Sequence, residues 1–230
     1  MQENKKVLMM TIVNSKSQPL LKYWFPHFEY ERNTKKVDLE ALILMRNMNE
    51  EEVVKMADNG DEIVHFLNVG NVDERKGWEI GFEYARQKLF PLLYLVKINA
   101  HPNDGTLSEL LPFCNRDNVG CVSAQCHIKK GGSVHIGGKV FKSNTIGIGQ
   151  AGDEKKKVVW MDCLPFNTLL LKTLLTAKIS IYPADGGKQM RNFEYDFTNR
   201  VKKGGWNVVL AKDSISLWLE QEGKKKVGVY

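Results

Sequence analysis

Four short runs that read as strands, separated by helical stretches, most restrict what this chain can fold into. They are Val7–Val13, Val37–Met45, Glu62–Val69 and Leu92–Ile98. The first, Val7-Leu8-Met9-Met10-Thr11-Ile12-Val13, and the last are apolar at almost every position rather than at every second one. Strands of that kind are buried on both faces. Between the runs lie an expected helix over Leu20–Tyr30, interrupted at Pro26, a short helix from the Asn/Glu-rich stretch 47–52 to Asn59, and an amphipathic helix after Gly70-Asn71. The last of these carries Trp78, Gly81, Phe82, Ala85 and Leu89 on one face. Alternation of two-faced strands with helices predicts an α/β fold, a mainly parallel central sheet flanked by helices on both sides. Ligands of such sheets sit at the carboxyl ends of the strands, which here carry Asn14 and Ser15, then Asn68, Gly70 and Asn71, then Asn99 to Asp104.

Beyond residue 105 the pattern changes. A strand is expected over Val119–Cys126, a glycine-rich hairpin or loop over Lys129–Gly149, a strand at Val158–Met161, a leucine-rich helix at Phe166–Thr176 and a loop at Ala184–Gln189. No Pro/Ser-rich linker divides the 230 residues, so one domain is expected, with residues 1–105 as a nucleotide-binding half and 106–230 as an acceptor-binding half.

The net charge of +6 is concentrated in runs such as Lys155-Lys156-Lys157 and Lys224-Lys225-Lys226, which suit solvated loops, a phosphate-bearing ligand or an anionic membrane face. No RNA-binding aromatic signature or helix-turn-helix pattern accompanies them, so nucleic acid is not an expected partner. Cys114, Cys121, Cys126 and Cys163 lack paired zinc-site spacing and read as buried reduced thiols. With no hydrophobic leader and no run of roughly 18 apolar residues, a cytoplasmic location is expected, with peripheral membrane contact and self-association left open.

The densest cluster of chemistry-bearing residues is Phe193-Glu194-Tyr195-Asp196-Phe197-Thr198-Asn199-Arg200, followed by Gly204-Gly205-Trp206 and the run Val208-Val209-Leu210. Two carboxylates stand at a helix start, where the helix dipole favours them, and Asp196 with Arg200 has the spacing of an i,i+4 ion pair. Phe193, Phe197 and Val201 make an apolar stripe that packs this helix against a core whether or not the carboxylates do chemistry.

In that order of elements, residues 5 to 215 resemble a family 2 glycosyltransferase of GT-A fold. The carriers are the opening strand with its polar loop, Asn68-Val69-Gly70-Asn71 ahead of a helix, the stretch from Trp160 to Leu175, and the acidic motif with its following arginine. The resemblance implies inverting transfer of a sugar from a nucleotide-diphosphate donor to the hydroxyl of a glycan, glycoprotein or lipid-linked acceptor. It implies Glu194 as general base with Asp196 beside it, and donor contacts from Asn14, Asn68, Gly70, Asn71, Asn99 and Arg200. It also implies a divalent cation, Mn²⁺ or Mg²⁺. The family's D-x-D is replaced here by Asn99-Ala100-His101, which leaves His101 and Asp104 as the expected ligands. A nucleotidyltransferase shares such a sheet but carries a glycine-rich loop after the first strand, and Asn14–Gln18 contains no glycine. The missing D-x-D also fits a non-catalytic GT-A-like binding protein.

Overall fold

The computed structural model describes residues 5–34, 36–49, 51–52, 55, 62–130, 133–137, 140–142, 145–147, 158–182 and 193–218. The first half runs β1 (Lys6–Val13), α1 (Leu21–Asn33), β2 (Asp38–Arg46), β3 (Val64–Gly70), α2 (Glu74–Gln87) and β4 (Leu92–Val96). β1 pairs in parallel with β2 on one side and β4 on the other, and β2 pairs in parallel with β3. The second half runs β5 (Ala100–Pro102), α3 (Thr106–Cys114), β6 (Val119–Lys130), β7 (Ser133–Gly137), β8 (Val140–Lys142), β9 (Thr145–Gly147), β10 (Val158–Met161), β11 (Thr168–Lys172), α4 (Leu174–Lys178), α5 (Phe193–Lys203) and β12 (Asn207–Trp218). One continuous sheet, ordered β10-β12-β6-β11-β4-β1-β2-β3, joins the two halves through the antiparallel pairing of β11 with β4.

Side-chain alternation divides the core between the two faces of this sheet. Val7, Met9 and Val13 of β1 join α1 and α3 on one face, whereas Leu8 and Met10 join α2, α4 and α5 on the other. α2 lies close to the strands because Gly81 has no side chain: a Cβ there would meet Met10 Cε at 2.5 Å and Leu44 Cδ1 at 2.8 Å.

Two expectations change. The helix expected over Phe166–Thr176 is found only at its end, where α4 starts at Leu174, because Thr168–Lys172 form β11, wedged antiparallel between β4 and β6 with Leu169, Leu170 and Leu171 fully buried. A leucine run carries no periodicity to separate strand from buried helix, and here the gap between two strands decides. Pro26 does not interrupt α1. It occupies the exposed face, and Leu21, Trp24 and Phe28 hold the other face in the core. Burial of about 1.5–3 kcal/mol per large apolar side chain offsets the roughly 3 kcal/mol cost of an interior proline. Ala100–Pro102 form β5, paired to the end of β12, and a turn follows at 104–105. The short helix expected to Asn59 and the loop 184–189 fall mostly or wholly outside the described residues.

A buried polar contact ties the two helices of one face. α3 begins after Gly105, whose φ of +83° suits glycine and whose lack of a side chain leaves the helix start uncapped from within. Glu31 of α1 supplies the cap: Leu107 N–H donates to Glu31 Oε1 at 2.9 Å. Burial pushes the Glu31 carboxyl up to about 7, and its Oε2 has no partner among the described residues. Burial also lowers neighbouring His27 to about 3, so His27 is neutral wherever Glu31 is ionised and the two do not form an ion pair.

Because the folded carboxyl titrates above its ordinary 4.5, the stability it confers is complete below that pH and is lost as pH rises through about 7. Wild type should therefore lose stability relative to Glu31→Gln between about pH 5 and about pH 8 in urea denaturation. Parallel pH profiles for the two proteins would contradict this assignment.

Candidate functional site

β1, β2 and β4 reach the same edge of the sheet and end beside Asn14, Arg46 and Lys97. The chain crosses from β1 to β2 through α1 on one face and from β3 to β4 through α2 on the other. A crevice opens where such connections diverge, outside the carboxyl ends of adjacent β1 and β4. A cleft of about 310 Å³ occupies that place, lined by Ile12, Asn14, Lys16, Ser17, Arg46, Glu74, Trp78, Lys97, Ile98, Asn99 and Trp218.

Local bonding shapes each wall. Asn14 Oδ1 accepts from the backbone N–H groups of Lys16 (3.0 Å) and Ser17 (2.9 Å), and Ser17 Oγ accepts from Asn14 N–H at 2.9 Å. The loop is thus held tight at the end of β1. Arg46 donates through Nη1 to Val72 O at 3.2 Å, while its Nε is buried without a partner among the described residues. Asp73 caps α2, accepting from Lys76 N–H at 2.7 Å, and so places Glu74 in the first turn at the cleft. Trp218 arrives from the far end of β12, beyond a register shift between Ala211 and Ile215.

Lys97 stands at the floor. Its ammonium ion-pairs with Glu194 and lies 3.2 Å from Glu74 Oε1. Burial alone would lower its pKa, but the charges of Glu194 and Glu74 outweigh that, and the net shift is upward. Lys97 is therefore a cation at any ordinary pH.

Glu194 begins α5 and is 2% exposed. Phe166 N–H donates to its Oε2 at 2.9 Å, and one turn on, Thr198 Oγ1 accepts from Leu164 N–H at 2.8 Å. Residues 164–166 are thereby clamped to the helix. Phe166 in turn packs against Trp78, Phe82, Phe193 and Phe197. Asp196 makes the expected pair with Arg200, Nε to Oδ2 at 3.0 Å, and Arg200 also donates to Ser180 O and Ile181 O.

Of the residues singled out in the sequence, Asn14 and Asn99 line the cleft, and Glu194 lies behind its wall through Lys97. Asn68 instead accepts from Gly70 N–H at the end of β3, and Gly70 O accepts from Asn47 N–H, so with Asn71 they form a neighbouring turn. Arg200 fastens α5 to residues 180–181. His101 lies on β5 with its ring edge-on to Tyr23, 6.3 Å between centroids, and Asp104 is exposed in the following turn. Neither lines the cleft. Among the described residues no three His, Cys, Asp or Glu side chains converge where an ion could sit. The residues missed in the sequence are Arg46 and Lys97. Their signal was present, since each is the first cation to end an otherwise apolar run at a strand's carboxyl end.

No family model matches the chain, and no curated protein matches it in sequence. Among solved structures it is similar to the crystal structure of GalNAc-T7 with UDP, GalNAc and Mn²⁺, with a TM-score of 0.71 and 10% identity. The match covers 98% of this chain and 46% of the other, so the chain spans about half the length of the structure it matches. The likeness shows the fold: a GT-A-like mixed α/β domain, the fold of a nucleotide-sugar glycosyltransferase.

Breaking a buried ion pair from one side leaves an uncompensated charge and costs about 3–5 kcal/mol. Lys97→Met should destabilise the protein by that order, and adding Glu194→Gln should restore more than half of the loss. Additive losses in a denaturant double-mutant cycle would show that the two groups act independently.

Proposed function

We propose that the chain is a glycosyltransferase that binds a nucleotide-sugar in the cleft at the ends of β1, β2 and β4 and passes the sugar to an acceptor hydroxyl with inversion. The observation that carries this reading is the position and lining of that cleft in a GT-A-like fold. A nucleotide-sugar presents a ribose and a base, which need hydrogen-bonding groups such as Asn14, Ser17 and Asn99, and a diphosphate, which needs cations. In the reaction the acceptor oxygen bonds to the anomeric carbon as the bond from that carbon to the diphosphate breaks, and the nucleoside diphosphate departs with the electron pair. The acceptor proton goes to Glu194. Its Oε2 accepts from Phe166 N–H and its Oε1 faces Lys97. Asp196 acts through Arg200, which holds the start of α5 against residues 180–181. The acceptor, whether glycan, glycoprotein or lipid-linked, belongs to the 106–230 half in this reading.

Among the described residues, the divalent ion implied by the family resemblance has no fitting set of ligands. His101 and Asp104 lie off the cleft, and the carboxylates nearest it, Glu74 and Glu194, already face an ammonium. No step is therefore routed through a metal.

The burial and double engagement of Glu194 favour a second reading, a protein that binds a nucleotide-sugar without turning it over. Glu194→Gln separates the two. In the enzyme it should keep donor binding by thermal shift while lowering release of nucleoside diphosphate by roughly 10²-fold. Wild-type protein that binds donor yet releases no diphosphate with any acceptor would establish the binding protein instead.

A further inference from the structure

We infer that Lys97 and Arg46 neutralise the donor's diphosphate directly, so that the side chains of the fold take the place of a divalent ion; this rests on the nucleotide-sugar reading of the cleft. Among the described residues three cations, Lys16, Arg46 and Lys97, line the cleft against one carboxylate, Glu74. Two of the three are built in rather than scattered on the surface. Lys97 has a side chain only 18% exposed and is anchored from behind by Glu194, whose side chain is 3% exposed. Arg46 ends β2, is fixed through Nη1 to Val72 O, and has a buried Nε that finds no acceptor among the described residues. A buried donor of this kind is costly unless a ligand oxygen satisfies it.

The two carboxylates beside Lys97 differ in a way that matters. Glu194 is buried and held by Phe166 N–H, whereas the Glu74 side chain is 41% exposed on the first turn of α2 and gives up, on leaving, a long 3.4 Å bond from Trp78 Nε1–H besides its contact with Lys97. An entering phosphate oxygen therefore displaces Glu74 and leaves Glu194 in place. Lys97 then stands between the leaving group and the proposed base, a fixed positive charge where negative charge develops on the departing oxygen. A lysine in that position supplies charge without needing the second and third carboxylates that a divalent ion would require.

The test measures binding of inorganic pyrophosphate and of UDP, GDP, CDP and ADP to the full chain by calorimetry, in EDTA and in Mn²⁺. At least one nucleotide should bind in EDTA, and Mn²⁺ should change its Kd by less than about twofold. Lys97→Met combined with Glu194→Gln, which leaves no unpaired buried charge, should weaken that binding by about tenfold or more, the size of a lost hydrogen bond to a charged group. Arg46→Met should do the same, and Lys97→Arg should retain binding; folding of each variant is checked by circular dichroism, and Arg46→Met decides the matter if the double variant does not fold. Nucleotide binding that appears only with Mn²⁺, or that survives these substitutions in EDTA, would overturn the inference and leave the nucleotide-sugar reading standing. Pyrophosphate binding in EDTA without binding of any nucleotide would uphold the cationic site and overturn that reading. Binding of none of these ligands under either condition would overturn both.

Discussion

Lys97 and Glu194 come from elements nearly a hundred residues apart, the end of β4 and the start of α5, and their ion pair joins the two halves of the chain at the edge of the cleft. Charges of this kind are expensive to bury. Each ion removed from water costs several kcal/mol, and the attraction between them returns that only when further hydrogen bonds complete the geometry. Here Phe166 N–H completes the carboxylate and Glu74 completes the ammonium. The position of residues 164–166, the entry angle of α5 and the floor of the cleft all depend on that arrangement. An apolar pair of similar volume would hold the halves together at least as well, so the charges are better explained by the site than by stability.

The sheet makes the arrangement possible. Parallel pairing of β1 with both β2 and β4 brings three strand ends to one edge. On the opposite side of β4, antiparallel β11 places Phe166 and the 164–166 turn beneath α5. β12, paired in the same sheet between β10 and β6, delivers Trp218 to the cleft and a partner for β5. The GT-A-like fold, similar to that of GalNAc-T7, carries a cleft at this edge, and among the charged residues described in its lining cations outnumber carboxylates.

Much of the frame was legible in the sequence. β1 to β4, α2 and α5 follow from strand-like apolar runs, the Trp78-Phe82-Ala85 face and an i,i+4 stripe, all local signals. The Asp196–Arg200 pair was legible for the same reason, since four residues on a helix fix the distance. β11 was not, because a leucine run is equally apolar as strand or helix and only its neighbours β4 and β6 choose. β5 was not, because three residues carry no period and its pairing partner lies more than a hundred residues later. Within the site, Glu194 was found from its motif, but its partner was missed. A lone lysine after a strand looks like any solvated charge until the fold shows that Glu194 and Glu74 converge on it. His101 and Asp104 were selected by residue type, and the direction of β5 turns them to the Tyr23 side and into an exposed turn.

The central claim, that the fold's own cations receive a diphosphate at this sheet edge, is tested most directly by a crystal structure of the chain grown with a saturating nucleoside diphosphate in the presence of EDTA. The account predicts phosphate oxygens at about 3 Å from Lys97 Nζ and from the guanidinium of Arg46, with Glu74 turned out to solvent and Glu194 unmoved. A diphosphate seated elsewhere, or one lying in the cleft while Lys97 keeps both carboxylates, would contradict it.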